Sequence, residues 1–114
     1  MNDCIFCKII NGDIPSLKIY ENDEVLAFKD INPQMPIHII VIPKKHITSI
    51  VDLEEVDENL VGKIFTTINK IAHNMGFDKT GFRVISNCGE DAGQTVEHLH
   101  FHILAGDKMG EKII

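Results

Sequence analysis

The chain has 114 residues, 11 Lys and Arg against 17 Asp and Glu, a net charge of −6 and 44% hydrophobic residues. That size suits one domain, residues 1–114, with enough core to fold without a disulfide framework. The acidic balance excludes a nucleic-acid binder that works by counterion release, and no apolar run approaches the ~20 residues that cross a bilayer, so the expectation is a cytoplasmic protein with no membrane segment.

Residues Ile5 to Asn11 are predicted to form one or two helical turns, ended by Gly12 and Pro15. Two short strands, Ile19 to Glu21 and Val25 to Lys29, flank the turn-forming pair Asn22-Asp23 and read as a hairpin. The segment His38 to Pro43 is dense in β-branched residues and bounded by prolines, which suits a buried strand. Asp52 with Glu55 three residues on reads as a capping box, and Asp57 as the N-cap of a long helix. Over Asp57 to Met75 the residues Leu60, Val61, Ile64, Phe65, Ile68, Ile71, Ala72 and Met75 recur at spacings of three and four, one apolar stripe stopped by Gly76. Strands at Phe82 to Ser86 and at about Glu97 to Leu104 follow, separated by a polar loop. Five strands adjacent in sequence predict an α+β fold: an antiparallel sheet with one long helix and a short N-terminal helix.

Three cysteines, Cys4, Cys7 and Cys88, argue against a secreted disulfide scaffold and for metal or redox use of the Cys-x-x-Cys pair. Cys88 has no basic neighbour to lower its pKa and reads as a bystander. The strongest chemical signal is His98-Leu-His-Phe-His-Ile-Leu104. Strict alternation places His98, His100 and His102 on one face of a strand and Leu99, Phe101 and Ile103 on the other. Imidazole in that density points either to a metal cluster or to nucleophilic and acid-base catalysis. Just upstream, Gly89 and Gly93 among Asn87, Gln94 and Thr95 suit either a solvated turn or a cradle of backbone N–H groups for a phosphate.

The segment Gly93-Gln-Thr-Val-Glu-His-Leu-His-Phe-His-Ile-Leu104 closely resembles the signature of the histidine triad (HIT) proteins. Cys4 to Ile10, Asp13-Ile-Pro15, Ala27 to Pro33 and Pro36 to Ile47 are similar to the Hint branch of that family, whose members are nucleotide-binding phosphoramidases. The resemblance implies a hydrolase that cleaves the P–N bond of purine nucleoside 5′-phosphoramidates through a nucleotidyl-histidine. His100 would be the nucleophile, His102 a phosphate contact, His38 the residue that orients the nucleophile, and Thr95, in place of the usual Ser, the proton donor to the amine. Substrate would be held by Ile5, Phe6, Ile9, Phe28 and Ile31 around the base, Asp30 on the ribose, and Asn87 with the Gly93 and Thr95 amides at the phosphate. Zinc-containing members are similar in adding His46 and His98 to the cysteine pair, which implies a structural zinc on Cys4, Cys7, His46 and His98 and no catalytic metal. The family also implies a homodimer with an AMP-like substrate or product. A dinucleoside polyphosphate hydrolase, or a nucleotide-binding interaction module with little turnover, are the alternatives. The tail from Ala105 to Ile114 lacks the aromatic residue that many Hint tails carry.

Lys44 and Lys45 are read as solvated surface, with attraction of an anionic substrate as the alternative, His73 on the long helix is read as exposed, and the acidic run Glu54, Glu55, Asp57 and Glu58, favoured at a helix start by the macrodipole, is assigned no catalytic work.

Overall fold

A computed structural model of the chain describes residues 3–114. The chain runs through α1 (Ile5–Ile10), β1 (Lys18–Glu21), β2 (Val25–Lys29), β3 (Ile37–Pro43), α2 (Glu58–Met75), β4 (Phe82–Ile85) and β5 (Phe101–Ala105), with 3-10 turns at Ile50–Asp52, Glu55–Asp57 and Glu90–Ala92. The five strands form one antiparallel sheet in the order β1-β2-β3-β5-β4. No helix among the described residues is long and apolar enough to cross a membrane.

The sheet carries apolar side chains on both faces at its centre, which explains why β2 and β3 read as continuous rather than alternating runs. On one face Val25, Ala27, Ile39, Val41, Leu99, Phe101 and Ile103 pack against Ile64, Ile68, Ile71 and Ala72 of α2. On the other, Leu26, Phe28, Ile40 and Ile42 pack against Phe6 and Ile9 of α1. Because the side chains of β5 alternate, the residues interleaved with its core-facing set emerge on the α1 face.

Several local expectations need correction. The last strand begins at Phe101 rather than Glu97: its ladder with β3 starts at the pair Val41 and Phe101. Upstream of it the Leu99 N–H goes to the carbonyl of Ile47 at 2.6 Å. His98 and His100 therefore lie in an extended lead-in to β5, still alternating with the buried Leu99. The box expected between Asp52 and Glu55 forms two residues along, where the Asp57 carboxylate accepts the Glu54 N–H at 3.0 Å. Asp52 instead accepts the Ser49 hydroxyl at 2.9 Å. Asp57 does occupy the N-cap position of α2, but its side chain turns back to Glu54 and to the Lys45 ammonium at 2.6 Å instead of capping the helix. Phe65 and Met75, both in the apolar stripe, are exposed. The stripe is wider than the arc the sheet covers. Gly76 ends α2 at φ 81°, a left-handed conformation that glycine adopts without a Cβ penalty. The tail is tied back where Arg83 donates to the Gly110 carbonyl at 3.3 Å.

Candidate active site

Four imidazoles meet on the α1 side of the sheet; three take their tautomer from a backbone group, and His102 takes its own from His38. His98 Nε2–H donates to the Pro43 carbonyl at 2.8 Å, which leaves Nδ1 bare. His100 Nδ1–H donates to the His98 carbonyl at 2.7 Å, which leaves the Nε2 lone pair of the neutral ring unused. His38 Nδ1 accepts the Gln34 N–H at 3.0 Å, so in the neutral ring its proton sits on Nε2. That proton faces two acceptors, His102 Nδ1 at 2.9 Å and Asp30 Oδ2 at 3.3 Å. His102 therefore carries its own proton on Nε2 and is a donor there. The pairing of His38 with Leu104 and of Ile40 with His102 makes the two imidazoles diagonal neighbours on one face, with ring centroids 5.1 Å apart.

Burial pushes the His102 imidazole below its usual range, reinforced by His100 and His38 and opposed by Asp30. His98 is pushed down for the same first reason, against the Pro43 hydrogen bond. Both rings are neutral at pH 7. Phe6 of α1 holds the row from above, edge to face with His100 at 5.1 Å and with His98 at 5.9 Å.

These rings open onto a cavity of about 340 Å³, the size that suits a small organic ligand. Its lining includes the apolar Ile5, Phe6, Ile9, Phe28 and Ile31 together with Asp30, Asn87, Gly93, Thr95, His100 and His102. Every residue expected to touch the substrate thus borders one space. His38 stands behind this wall, in contact with His102 and Asp30 rather than with His100, so its influence on the nucleophile runs through His102.

A second cluster shares His98 with the row. Cys4, Cys7, His46 and His98 bring one ligand atom each to within 4.8 Å of one another. Cys4 Sγ is 3.3 Å and Cys7 Sγ 3.6 Å from His98 Nδ1, Cys7 Sγ is 3.3 Å from His46 Nδ1, and the two Nδ1 atoms are 3.1 Å apart. Tetrahedral zinc with bonds of ~2.3 Å to sulfur and ~2.05 Å to nitrogen has ligand edges of about 3.6 Å and about 3.3 Å. The residues fit that ion, and the His98 Nε2–H bond to Pro43 is the outer-sphere contact that orients a metal-binding imidazole. Asp30, His38 and His102 also converge as a three-ligand grouping. There the Gln34 N–H on His38 Nδ1 keeps the proton on Nε2, the atom a metal would need, so this grouping works as a hydrogen-bond relay.

The HIT domain family model matches residues 11–109. The chain belongs to the HIT family. A histidine triad protein from Clostridium difficile is 58% identical, with a TM-score of 0.94 over 98% of this chain and 97% of that one. A HIT family hydrolase from Clostridium thermocellum is 45% identical, with a TM-score of 0.97 over 100% of this chain and 99% of its own. A histidine triad nucleotide-binding protein from Candida albicans is 30% identical, with a TM-score of 0.82 over 96% of this chain and 85% of that one.

Within this HIT domain two sequence readings change. The Gly93 amide was expected at the phosphate, but it donates to the Glu90 carbonyl at 2.9 Å, closing the loop on itself. Gly93 serves by conformation instead, turning the chain at φ 76° to bring Thr95 to the cavity. Cys88 is not chemically featureless: hydrogen bonding to Ser49, then to the Val51 and Ile50 backbone, lowers its thiol pKa, against desolvation and the Asp52 charge.

Three supporting residues escaped the sequence reading. Gln94 staples the loop, its amide donating to the Thr48 and Val96 carbonyls at 2.8 and 3.1 Å while its oxygen accepts the Gly89 N–H. Ser86 donates to the His100 carbonyl at 2.9 Å, and Gln34 sets the tautomer of His38. All three act across the fold or through backbone geometry, and even for Gln94, which lies inside the Gly93-Gln-Thr95 segment, the motif does not reveal this role.

The two depressed imidazoles give a stability prediction. Below about pH 6.5 the unfolded chain binds protons on His98 and His102 that the folded site refuses, so stability is full above about 6.5 and falls on acidification toward pH 5. The lowered carboxyls of Glu21, paired with Lys44 and Lys18, and of Asp57, paired with Lys45, act only below their ordinary values of 4.5 and 3.8. Denaturant midpoints measured at pH 7, 6 and 5 should therefore decline stepwise. A flat or rising series would contradict the neutral assignment of both rings.

Proposed function

We propose that this HIT domain is a hydrolase that cleaves the P–N bond of purine nucleoside 5′-phosphoramidates through a nucleotidyl-histidine intermediate. The observation that carries the reading is the His100 Nδ1–H bond to the His98 carbonyl at 2.7 Å, which leaves the Nε2 lone pair at a cavity lined by apolar side chains and by the Asp30 carboxylate. The apolar lining takes a flat purine, and the Asp30 carboxylate accepts hydrogen bonds from the ribose diol.

His100 Nε2 attacks the α-phosphorus as the P–N bond breaks, and the bonding pair leaves on the amine nitrogen. Thr95 gives that nitrogen its hydroxyl proton. Water then attacks the phosphorus, the P–Nε2 bond breaks, and a water proton restores Thr95. The net change is phosphoramidate plus water to nucleoside monophosphate plus amine. Splitting one displacement into two is the gain from a nucleophile that is also a good leaving group. His102 Nε2–H and Asn87 donate to the phosphoryl oxygens as charge builds on them. A zinc ion on Cys4, Cys7, His46 and His98 would be structural, with all four positions filled by protein. The name of the Candida albicans relative supports nucleotide binding, and that of the Clostridium thermocellum one supports hydrolysis.

Steady-state rates on adenosine 5′-phosphoramidate and on a diadenosine polyphosphate decide between the leaving groups. We expect kcat/KM at least about tenfold higher on the phosphoramidate, a difference of ~1.4 kcal/mol in transition-state binding. The reverse order would assign the polyphosphate reaction, and no turnover of either would reduce the protein to a binding module. The active species is a homodimer, supported by the exposed rings of Phe65 on α2 and Phe82 on the edge strand β4. Light scattering at micromolar concentration should give twice the chain mass, and a monomer mass would refute this.

A further inference from the structure

Asp30 does more here than offer a carboxylate to a sugar. Its Oδ1 is committed to the Asn32 N–H at 2.8 Å, which fixes the orientation of the carboxylate. Its Oδ2 lies 3.3 Å from His38 Nε2, and its own backbone N–H donates to the His38 carbonyl at 3.0 Å. His38 is buried, and its single Nε2 proton is shared between this oxygen and His102 Nδ1 at 2.9 Å. A proton divided between two acceptors serves each less well than one committed to a single acceptor. Donors that draw on Oδ2 weaken its hold on the His38 proton and leave that proton more fully to His102. Asp30 borders the cavity, so such donors come from the ligand.

We propose that Asp30 couples ribose recognition to the catalytic histidines. The hydroxyl donors of a bound ribose take Asp30 Oδ2, the His38 Nε2–H bond to His102 Nδ1 strengthens, and His102 Nε2–H is thereby fixed and polarised toward the phosphoryl group. Asp30 is a positioning residue in this second role, acting through His38, and the inference rests on the nucleotide reading given above. Its consequence is discrimination against deoxyribose substrates in kcat, beyond any loss in binding. A carboxylate that only anchors the sugar would alter KM alone.

Two measurements on the unmodified protein test this. First, kcat for adenosine 5′-phosphoramidate is compared with kcat for its 2′,3′-dideoxy analogue, each at saturation. The dideoxy compound should turn over about tenfold more slowly, the scale of one hydrogen bond made fully only in the transition state. Equal kcat with a raised KM would overturn the coupling and leave the hydrolase reading intact. Second, the His38 Nε2 proton is followed by NMR during titration with AMP and with 2′,3′-dideoxy-AMP, compounds that do not turn over. AMP should move it downfield and slow its exchange, while the dideoxy compound, at concentrations that shift the Phe28 and Ile9 signals equally, should not. The same His38 shift with both ligands would refute the coupling. No shift at Phe28 or Ile9 with either would remove the nucleotide reading and this inference with it. In Asp30→Asn the ribose and dideoxy substrates should become equal in kcat, and a persistent tenfold difference there would also contradict the proposal.

Discussion

Replacing His100 with Ala should lower kcat on a nucleoside phosphoramidate by about 10⁴-fold or more, the scale on which removal of a covalent nucleophile is felt. The reason is local. In the wild-type chain the His98 carbonyl holds the Nδ1 proton of His100 and so points the Nε2 lone pair at the cavity, and no other imidazole of the row offers an unprotonated nitrogen there. His102 presents Nε2–H, because its Nδ1 is taken by His38. The bare Nδ1 of His98 faces the cysteines. Truncation leaves the apolar slot and Asp30 in place, so AMP binding measured by calorimetry should survive within a few-fold. Retention of more than about one hundredth of the wild-type kcat would mean that water attacks the phosphorus directly.

The second large effect concerns stability. Chelation at neutral pH, or Cys7→Ser, should lower the melting temperature by more than ~10 °C, because a structural zinc contributes several kcal/mol to folding and one kcal/mol shifts a domain of this size by a few degrees. Cys4 caps α1 and Cys7 lies within it, while His46 and His98 belong to the sheet side, so the ion would clamp the helix to the rest of the domain. The same helix carries Ile5, Phe6 and Ile9 of the cavity wall. AMP affinity should therefore weaken together with stability when the clamp is removed. A protein purified without metal, whose melting temperature ignores both chelator and added zinc, would refute the assignment.

Much of this site was legible because its chemistry is concentrated in short motifs. Alternation in His98-Leu-His-Phe-His sorted the imidazoles from the core residues, even though the regular strand starts only at Phe101. The α2 stripe predicted the helix to within one residue, and the β-branched run predicted β3. What escaped depends on pairings between distant segments. Which histidine nitrogen bears the proton follows from the Pro43 and His98 carbonyls and the Gln34 N–H, and the spacing of histidines says nothing about those. The Gly93 amide looked available because a glycine-rich loop has free donors until it closes on its own carbonyls, as this one does at Glu90. Phe65 and Met75 matched the helical period, yet period alone cannot tell how wide an arc the sheet covers. Membership of the HIT family, by contrast, was carried by the triad together with the Pro43-Lys-Lys-His46 segment, and both lie within the matched residues.

The most direct test of the account is rapid-quench mass spectrometry of the protein mixed with an adenosine 5′-phosphoramidate. It predicts an adduct of one adenylyl group per chain that forms and decays within turnover, maps to the peptide containing His100, and is absent from His100→Ala. Full turnover with no adduct at any quench time, or an adduct on another residue, would contradict it.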